Sequence, residues 1–368
     1  MEEKEFSFRM SEEQRTMKET VARLVKDVVA ENAHDMDEKK AIPPAFIQKV
    51  WELGATVSVV PEEYGGYGME HSPIMNTIIL EELAYGDMAL AIAATLPSLF
   101  MYPILDGGTD DQKKKYLPPY CGASYKPCTV AINEPRFKFD PVSMETKAEK
   151  RGGTYVLNGK KCFVPMAKDS AHLLIAAATG GTNDLFIIAK ENPGLKIGDR
   201  EKNLGAYALD TYPVILENCE VPAGDRLGGD QGCNYGTFLQ KTRVALSAIG
   251  TGVSRASFEY ARDYARERVQ FGEPIAFRQS IAFMIAEMAY EVDAMRLMTW
   301  KAASALEAGR DAKREAYLAK LYAGEMTMKI TDYGVQILGG HGYIRDHPVE
   351  RYYRNGRGIA ILEGMTIV

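Results

Sequence analysis

Apolar residues between Glu12 and Val29 recur among charged ones at helical rather than strand intervals, and Ser11-Glu12-Glu13-Gln14 ahead of them has the form of a capping box. The chain is therefore expected to open with a helix. A second helix is predicted over 44–54, after which Pro61, Gly65, Gly66 and Gly68 break the period, and helices resume to about Tyr120. From about Ala123 the pattern shortens into β-rich runs at 154–157, 160–164, 173–175, 185–189 and 212–221. Asn158-Gly159 between the first two is the strongest hairpin signal in the chain. Beyond Gly236 helical spacing returns. Ile281, Ile285, Met288, Val292, Met295, Thr299 and Ala302 form a stripe suited to packing against partner helices. Three segments follow from this pattern: helices over 1–122, a β-domain over 123–235 and a helical bundle over 236–368.

Composition narrows the function more than the fold. The 368 residues carry 44 Lys and Arg against 50 Asp and Glu, a formal charge of −6, with no basic field of the kind that neutralises a phosphate backbone. A nucleic-acid binder is excluded on that ground. The five cysteines, at 121, 128, 162, 219 and 233, form no Cys-x-x-Cys pair, and His34, His71, His172, His341 and His347 lack metal-ligand spacing, so no metal is expected. The start, Met1-Glu2-Glu3-Lys4-Glu5, is acidic where a secretory signal is basic, and no run of about 18 apolar residues is apparent. A reducing, cytoplasmic or equivalent soluble space is expected, without membrane insertion.

The chemistry concentrates near the C-terminal end. Gln336-Ile337-Leu338-Gly339-Gly340-His341-Gly342-Tyr343 runs on through Asp346 to Arg351 and Asn355, and its three glycines permit close backbone approach to a ligand. This spaced pattern resembles, position for position, the carboxy-terminal signature of the acyl-CoA dehydrogenases. The 61–68 run, Arg268-Val269-Gln270-Phe271-Gly272 and Val221-Pro222 look like further segments of that family, so the resemblance spans essentially the whole chain. It implies an α+β fold: an N-terminal helical domain, a central β-barrel-like or β-sandwich domain and a C-terminal four-helix bundle. It also implies FAD as cofactor. Arg268, Gln270 and Phe271 would reach the flavin dinucleotide of a neighbouring subunit, with Gln336, Gly339 and Gly340 along its adenine and ribose end. A guanidinium can grip pyrophosphate oxygens through two parallel bonds, which a lysine cannot.

Glu363, eight residues after Asn355, matches the family's Glu-Gly pair, with Gly364 beside it on the substrate. Placed among Ile361, Leu362 and Met365, its carboxylate would be poorly solvated and so a stronger base toward a weakly acidic carbon. The resemblance implies that Glu363 takes the α-proton of an acyl-CoA thioester while its backbone N–H and a flavin hydroxyl stabilise the carbonyl oxygen, and that hydride passes from Cβ to flavin N5. Arg243 resembles a family arginine on the thioester side, where it would position the coenzyme A moiety.

Departures from the family cluster at the reactive face of the flavin. Where the family has Thr or Ser before Glu-Pro and then a small glycine loop, this chain reads Asn133-Glu134-Pro135-Arg136-Phe137-Lys138-Phe139. Phe163-Val164-Pro165 replaces an aromatic followed by a hydroxyl residue, and Pro165 has neither hydroxyl nor N–H to donate. Met365 replaces a threonine. Asn133, Phe163, Pro165 and Met365 are the positions expected against the flavin. Three readings stay open: an active dehydrogenase of fatty or organic acid catabolism, one subunit of a heteromeric enzyme, or a flavin-free scaffold that binds acyl thioesters. The family further implies a homotetramer and an electron-transferring flavoprotein as acceptor. The acyl pocket is expected along 84–102, near Tyr85, Phe100 and Tyr102.

Overall fold

The computed structural model describes residues 9–368, and the acidic start at 1–5 lies outside the described residues. Helix α1 (Glu12–Leu24) begins with the expected capping box, Ser11 accepting from the Gln14 amide and Gln14 from the Ser11 amide, and runs on through a π-helical turn at Val25–Ala30. After it come α2 (Ala33–Lys39), α3 (Pro44–Trp51), α4 (Ala55–Ser58), α5 (Pro73–Gly86), α6 (Met88–Gly107) and α7 (Asp110–Tyr116). Asp87 caps α6 by accepting the Leu90 amide at 2.9 Å. This helix corrects one expectation, because its 20 residues are long and apolar enough to cross a membrane. The fold buries it instead: Leu90 to Ala94, Leu96 and Leu99 to Met101 are each at most 2% exposed.

The middle of the chain holds β1 (Thr129–Ala131), β2 (Lys147–Arg151), β3 (Thr154–Pro165), β4 (His172–Thr179), β5 (Thr182–Ala189), β6 (Leu195–Ile197) and β7 (Thr211–Pro222) in one curled sheet. β3 and β7 form its long antiparallel ladder, β1 lies parallel to β4, and β5 closes antiparallel on β4. Strand alternation splits the side chains between two cores. Leu157, Val164, Leu173, Ile175, Phe186 and Val214 fill the inside of the curl, whereas Val130, Leu174, Leu185 and Ile187 join the helical core.

The hairpin turn is not at Asn158-Gly159. β2 and β3 pair up to Arg151 opposite Thr154, so Gly152 and Gly153 make the two-residue turn, with Gly152 at φ 60°. Asn158 and Gly159 lie inside β3, at a register shift against β7. A Cβ at Gly159 would stand 2.4 Å from the Thr146 hydroxyl, so this glycine serves a close approach rather than a reversal.

The C-terminal part is α8 (Tyr235–Glu267), a small hairpin of β8 (Val269–Gln270) and β9 (Glu273–Pro274), α9 (Gln279–Glu307), α10 (Lys313–Leu338), α11 (Gly340–Tyr343) and α12 (Val349–Ile361). α8, α9, α10 and α12 form the bundle, and α5 packs on α8 and α9. The predicted stripe on α9 is buried from Met288 to Ala302, with Ile281 and Ile285 half-buried at its start. Buried ion pairs tie the layers together. Arg255 of α8 bonds Glu81 and Glu82 of α5, and Arg296 of α9 also reaches Glu81.

Candidate active site

Helix α12 ends at Ile361, and the chain turns through Gly364 at φ 64° into a buried final segment. A Cβ at Gly364 would lie 2.1 Å from Ile132 Cδ1, so any other residue here would have to take a left-handed backbone and displace the Ile132 side chain just after β1. Glu363 is thereby held against the strand β1 and the residues that follow it. Asn133 completes the hold: its Nδ2 donates to the Glu363 carbonyl at 2.7 Å, and its Oδ1 accepts the Glu363 amide at 3.1 Å. Asn133 was expected against the flavin, and the structure spends its carboxamide on the Glu363 backbone.

Asn133 is itself anchored from beneath. Its carbonyl accepts the Cys162 amide at 2.9 Å, and the wholly buried Lys161 donates to Ile132 O at 3.1 Å and to Glu134 Oε1 at 3.0 Å. Glu134 also accepts the amides of Glu145 and Thr146, each at 2.8 Å. Burial pulls Lys161 down to about 8, with Glu134 opposing. Past this anchor, 136–139 swings outward. Phe137 is 90% exposed, and Lys138 takes φ 54°.

The Glu363 carboxylate does not sit among apolar side chains as its sequence neighbours suggested. Ile361 faces solvent, and Met365 points into a separate cavity. Lys320 of α10 donates to Oε1 at 2.9 Å, and Arg243 of α8 approaches Oε1 and Oε2 at 3.3–3.5 Å. Side-chain exposure is 7% for Glu363, 14% for Arg243 and 12% for Lys320. Arg243 also lies over the Tyr317 ring at 5.4 Å. One anion between two cations leaves a desolvated site with one positive charge in excess. The reason for the difference is geometric. Ile361 still belongs to α12, Leu362 is extended and Gly364 turns the chain, so the backbone changes direction on both sides of Glu363 and its carboxylate meets α8 and α10 while Ile361 and Met365 do not.

One cavity adjoins this cluster, and a second lies at the other end of the bundle, where α8 and α10 end. One, of about 300 Å³, is lined by Met88 and Ile92 of α6, Phe163, Thr211, Asn355, Leu362 and Met365. Phe163 sits at φ 53°, its amide donating to both oxygens of Glu201. Pro165, buried, pairs with Thr211 at the end of β3. The other, of about 660 Å³, is a cleft between the β8–β9 hairpin and the end of α10, lined by Tyr264, Arg268, Gln270, Phe271, Gly339, Gly340 and His341. Gln336 is exposed on the last turn of α10.

That cleft suits a dinucleotide phosphate. Arg268 has no ion pair among the described residues, and a Cβ at Gly339 or Gly340 would meet nothing within 4 Å. Phe271 is 92% exposed at φ 55°, an aromatic offered outward on a strained turn. His341 accepts or donates a 2.8 Å bond with the Tyr264 hydroxyl and stacks on His347, at 5.3 Å between ring centres.

Five of the predicted residues thus share the cleft, two share the smaller cavity, and Glu363, Arg243, Asn133 and Gly364 meet at the cluster. Phe100 and Tyr102 are fully buried in core packing, and Tyr85 bonds Glu259, so none opens onto the smaller cavity. Lys320 was missed. Its one sequence signal is a cation on the same face of α10 as the buried Ala316, Ala319 and Ala323.

Comparison with known proteins places the whole chain. Three family models match: acyl-CoA dehydrogenase, N-terminal domain, over residues 11–124; middle domain over 129–219; and C-terminal domain over 233–368. The chain is 33% identical to the probable acyl-CoA dehydrogenase YngJ of Bacillus subtilis over 98% of its own length and 96% of that protein's. A glutaryl-coenzyme A dehydrogenase structure in complex with glutaryl-CoA superposes with a TM-score of 0.88 at 32% identity, covering 97% of this chain and 92% of the other. The FAD complex of PigA shares the fold, with a TM-score of 0.87 at 24% identity over 96% and 94%.

Proposed function

The chain belongs to the acyl-CoA dehydrogenase family, and on that premise we propose that it removes a proton and a hydride from the α and β carbons of an acyl-CoA thioester, with Glu363 as the base. It is an oxidoreductase of a family that uses FAD. The observation that carries the assignment of Glu363 is its setting: a carboxylate 7% exposed, fixed at its backbone by Asn133 and Gly364 and met by Arg243 and Lys320. A surface glutamate before a helix stop would have none of these. When bound, FAD supplies the hydride acceptor. Phe163, Pro165 and Met365 would border the reactive end of one FAD, and Arg268, Gln270 and Phe271 would reach the dinucleotide bound by a neighbouring subunit, with Gly339 and Gly340 along its adenine end.

The exposed Phe271, and Arg268 without an ion pair among the described residues, support a site completed between subunits, in the homotetramer that the resemblance implies. An electron-transferring flavoprotein is the proposed acceptor. The three segments 1–122, 123–235 and 236–368 are proposed as the domains. Relatives acting on glutaryl-CoA and butyryl-CoA support small acyl groups as the first to try.

The test is the visible spectrum of the purified protein, titrated anaerobically with acyl-CoA thioesters beside a Glu363→Gln variant. Bleaching of the flavin band in the wild type and not in the variant is expected. Equal bleaching in both would refute Glu363 as the base, and a protein that stays colourless with added FAD would turn the search to a partner subunit.

A further inference from the structure

Two histidines at the dinucleotide cleft have no part in the chemistry at Glu363. His341 of α11 lines the cleft together with Arg268, and its ring stacks on His347 with 5.3 Å between ring centres and 15° between planes. A tyrosine of α8 holds each ring at Nδ1. The Tyr264 hydroxyl lies 2.8 Å from His341 Nδ1, and the Tyr260 hydroxyl 2.7 Å from His347 Nδ1. Neither Nε2 has a partner among the described residues. With the tyrosine O–H donating, a neutral ring carries its proton on Nε2, and a charged ring carries one there as well. His341 therefore presents a donor in both states, which suits an anion.

We propose that His341 is a second ligand, beside Arg268, for the pyrophosphate that reaches this cleft, and that FAD binds there together with one proton taken up by the His341–His347 pair. The inference rests on the reading of the cleft as a dinucleotide site. A phosphate oxygen at His341 favours the imidazolium, while two charged rings 5.3 Å apart repel, so the pair takes up one proton rather than two and titrates as a unit. The other titratable and charged groups around the pair are Tyr260, Tyr264 and Glu267 of α8, Arg268 at its end, Arg278 ahead of α9 and Tyr352 of α12, while α10 brings only Ile337 and Leu338 to the cleft. Arg278 is paired with Glu273 at 3.3 Å. On the His347 side Asp346 is exposed, and Arg345 and Glu350 are paired with Asp37 and Arg354. No carboxylate bonds either imidazole among the described residues, so the charge brought by the proton is left for the phosphate. The sign follows from linkage. The FAD-bound form holds the extra proton, so FAD is held more tightly as pH falls through the imidazole range and less tightly as it rises.

The experiment reads FAD release rather than turnover. Holoenzyme is diluted in series from about pH 5.5 to 8.5, the span in which imidazoles titrate, and released FAD is followed by recovery of flavin fluorescence, with the assembly state checked by light scattering. The wild type, His341→Gln and Arg268→Met are compared. The wild-type dissociation constant is expected to rise about 10-fold or more across this span, the size that one anion beside an imidazole produces. His341→Gln keeps an N–H donor but takes no proton, so it should match the wild type within about 3-fold at the alkaline end and stay flat within about 3-fold below it. Arg268→Met should loosen FAD about 10-fold or more at every pH, as for loss of a charge-assisted pair of bonds. A flat wild-type profile, or His341→Gln with the wild-type slope, would overturn the role of His341 and, with Arg268→Met loosened, leave the cleft as a dinucleotide site. A slope above one proton per FAD would overturn the sharing of one proton by the pair. Arg268→Met holding FAD as the wild type does would overturn the cleft reading and this inference together. Should His341→Gln fail to assemble, His341→Asn takes its place, with the same flat profile expected and the wild-type slope again counting against the proposal.

Discussion

Replacing Asn133 by alanine removes one carboxamide and strands two buried backbone groups of Glu363. Asn133 and Glu363 are 4% and 6% exposed, so water does not simply take over the bonds at 2.7 and 3.1 Å. Each stranded group costs about 1–3 kcal/mol, which puts the loss at about 2–6 kcal/mol. At roughly 2 °C per kcal/mol for a large domain, the apparent midpoint of thermal unfolding falls by about 4–12 °C. Scanning fluorimetry at fixed protein and FAD concentration reads this directly. Asn133→Asp gives an internal comparison, because an ionised aspartate still accepts the Glu363 amide but opposes the carbonyl it formerly served. It should lose at least half as much. An alanine variant melting within 1 °C of wild type would refute the claim that Asn133 holds the Glu363 backbone.

Gly364→Ala should destabilise by about 2–4 kcal/mol, combining a left-handed backbone with a methyl group 2.1 Å from Ile132, and chemical denaturation measures it. Lys161→Met removes the closer of the two cations at buried Glu134, leaving Arg136 at 3.5 Å, and should cost at most about 3–5 kcal/mol near pH 7. Because folding lowers Lys161 from 10.5 to about 8, the unfolded chain binds the extra proton between those values, so the Lys161 contribution to stability rises with pH across that window; a wild-type advantage over Lys161→Met that shrinks from pH 8 to 10 would contradict this. His71, lowered to about 4 chiefly by burial and then by Lys241, has the same sign at lower pH: the wild type loses about 2 kcal/mol as pH falls from 6.5 through 4 and His71→Gln loses less, measured by urea unfolding at each pH.

What could be read from the sequence was whatever local chemistry decides. The capping box at Ser11 and the stripe on α9 are satisfied within a few residues, and both appear as expected. Asn158-Gly159 misled because a turn dipeptide and a close-approach glycine look alike until the partner, Thr146, is in place. It was the family resemblance, not periodicity, that grouped Arg268, Gln270 and Phe271 with Gly339 and Gly340, and these residues line one cleft. The surroundings of Glu363 were not readable. Lys320 is 43 residues away and Asn133 is 230, and their meeting depends on how α10 and β1 dock.

Helix α6 sets a timetable for synthesis. Its apolar residues are covered by α3, α5 and β1, which emerge early or soon after, but also by α8, and Thr95 on it bonds Thr366 near the other end of the chain at 2.9 Å. At ribosomal speeds roughly 260 further residues take about 13–50 s to appear after α6 has been made. For that interval a segment as greasy as a membrane anchor has no complete shelter, so the nascent N-terminal half is a natural client for chaperones, and any pause late in translation prolongs its exposure.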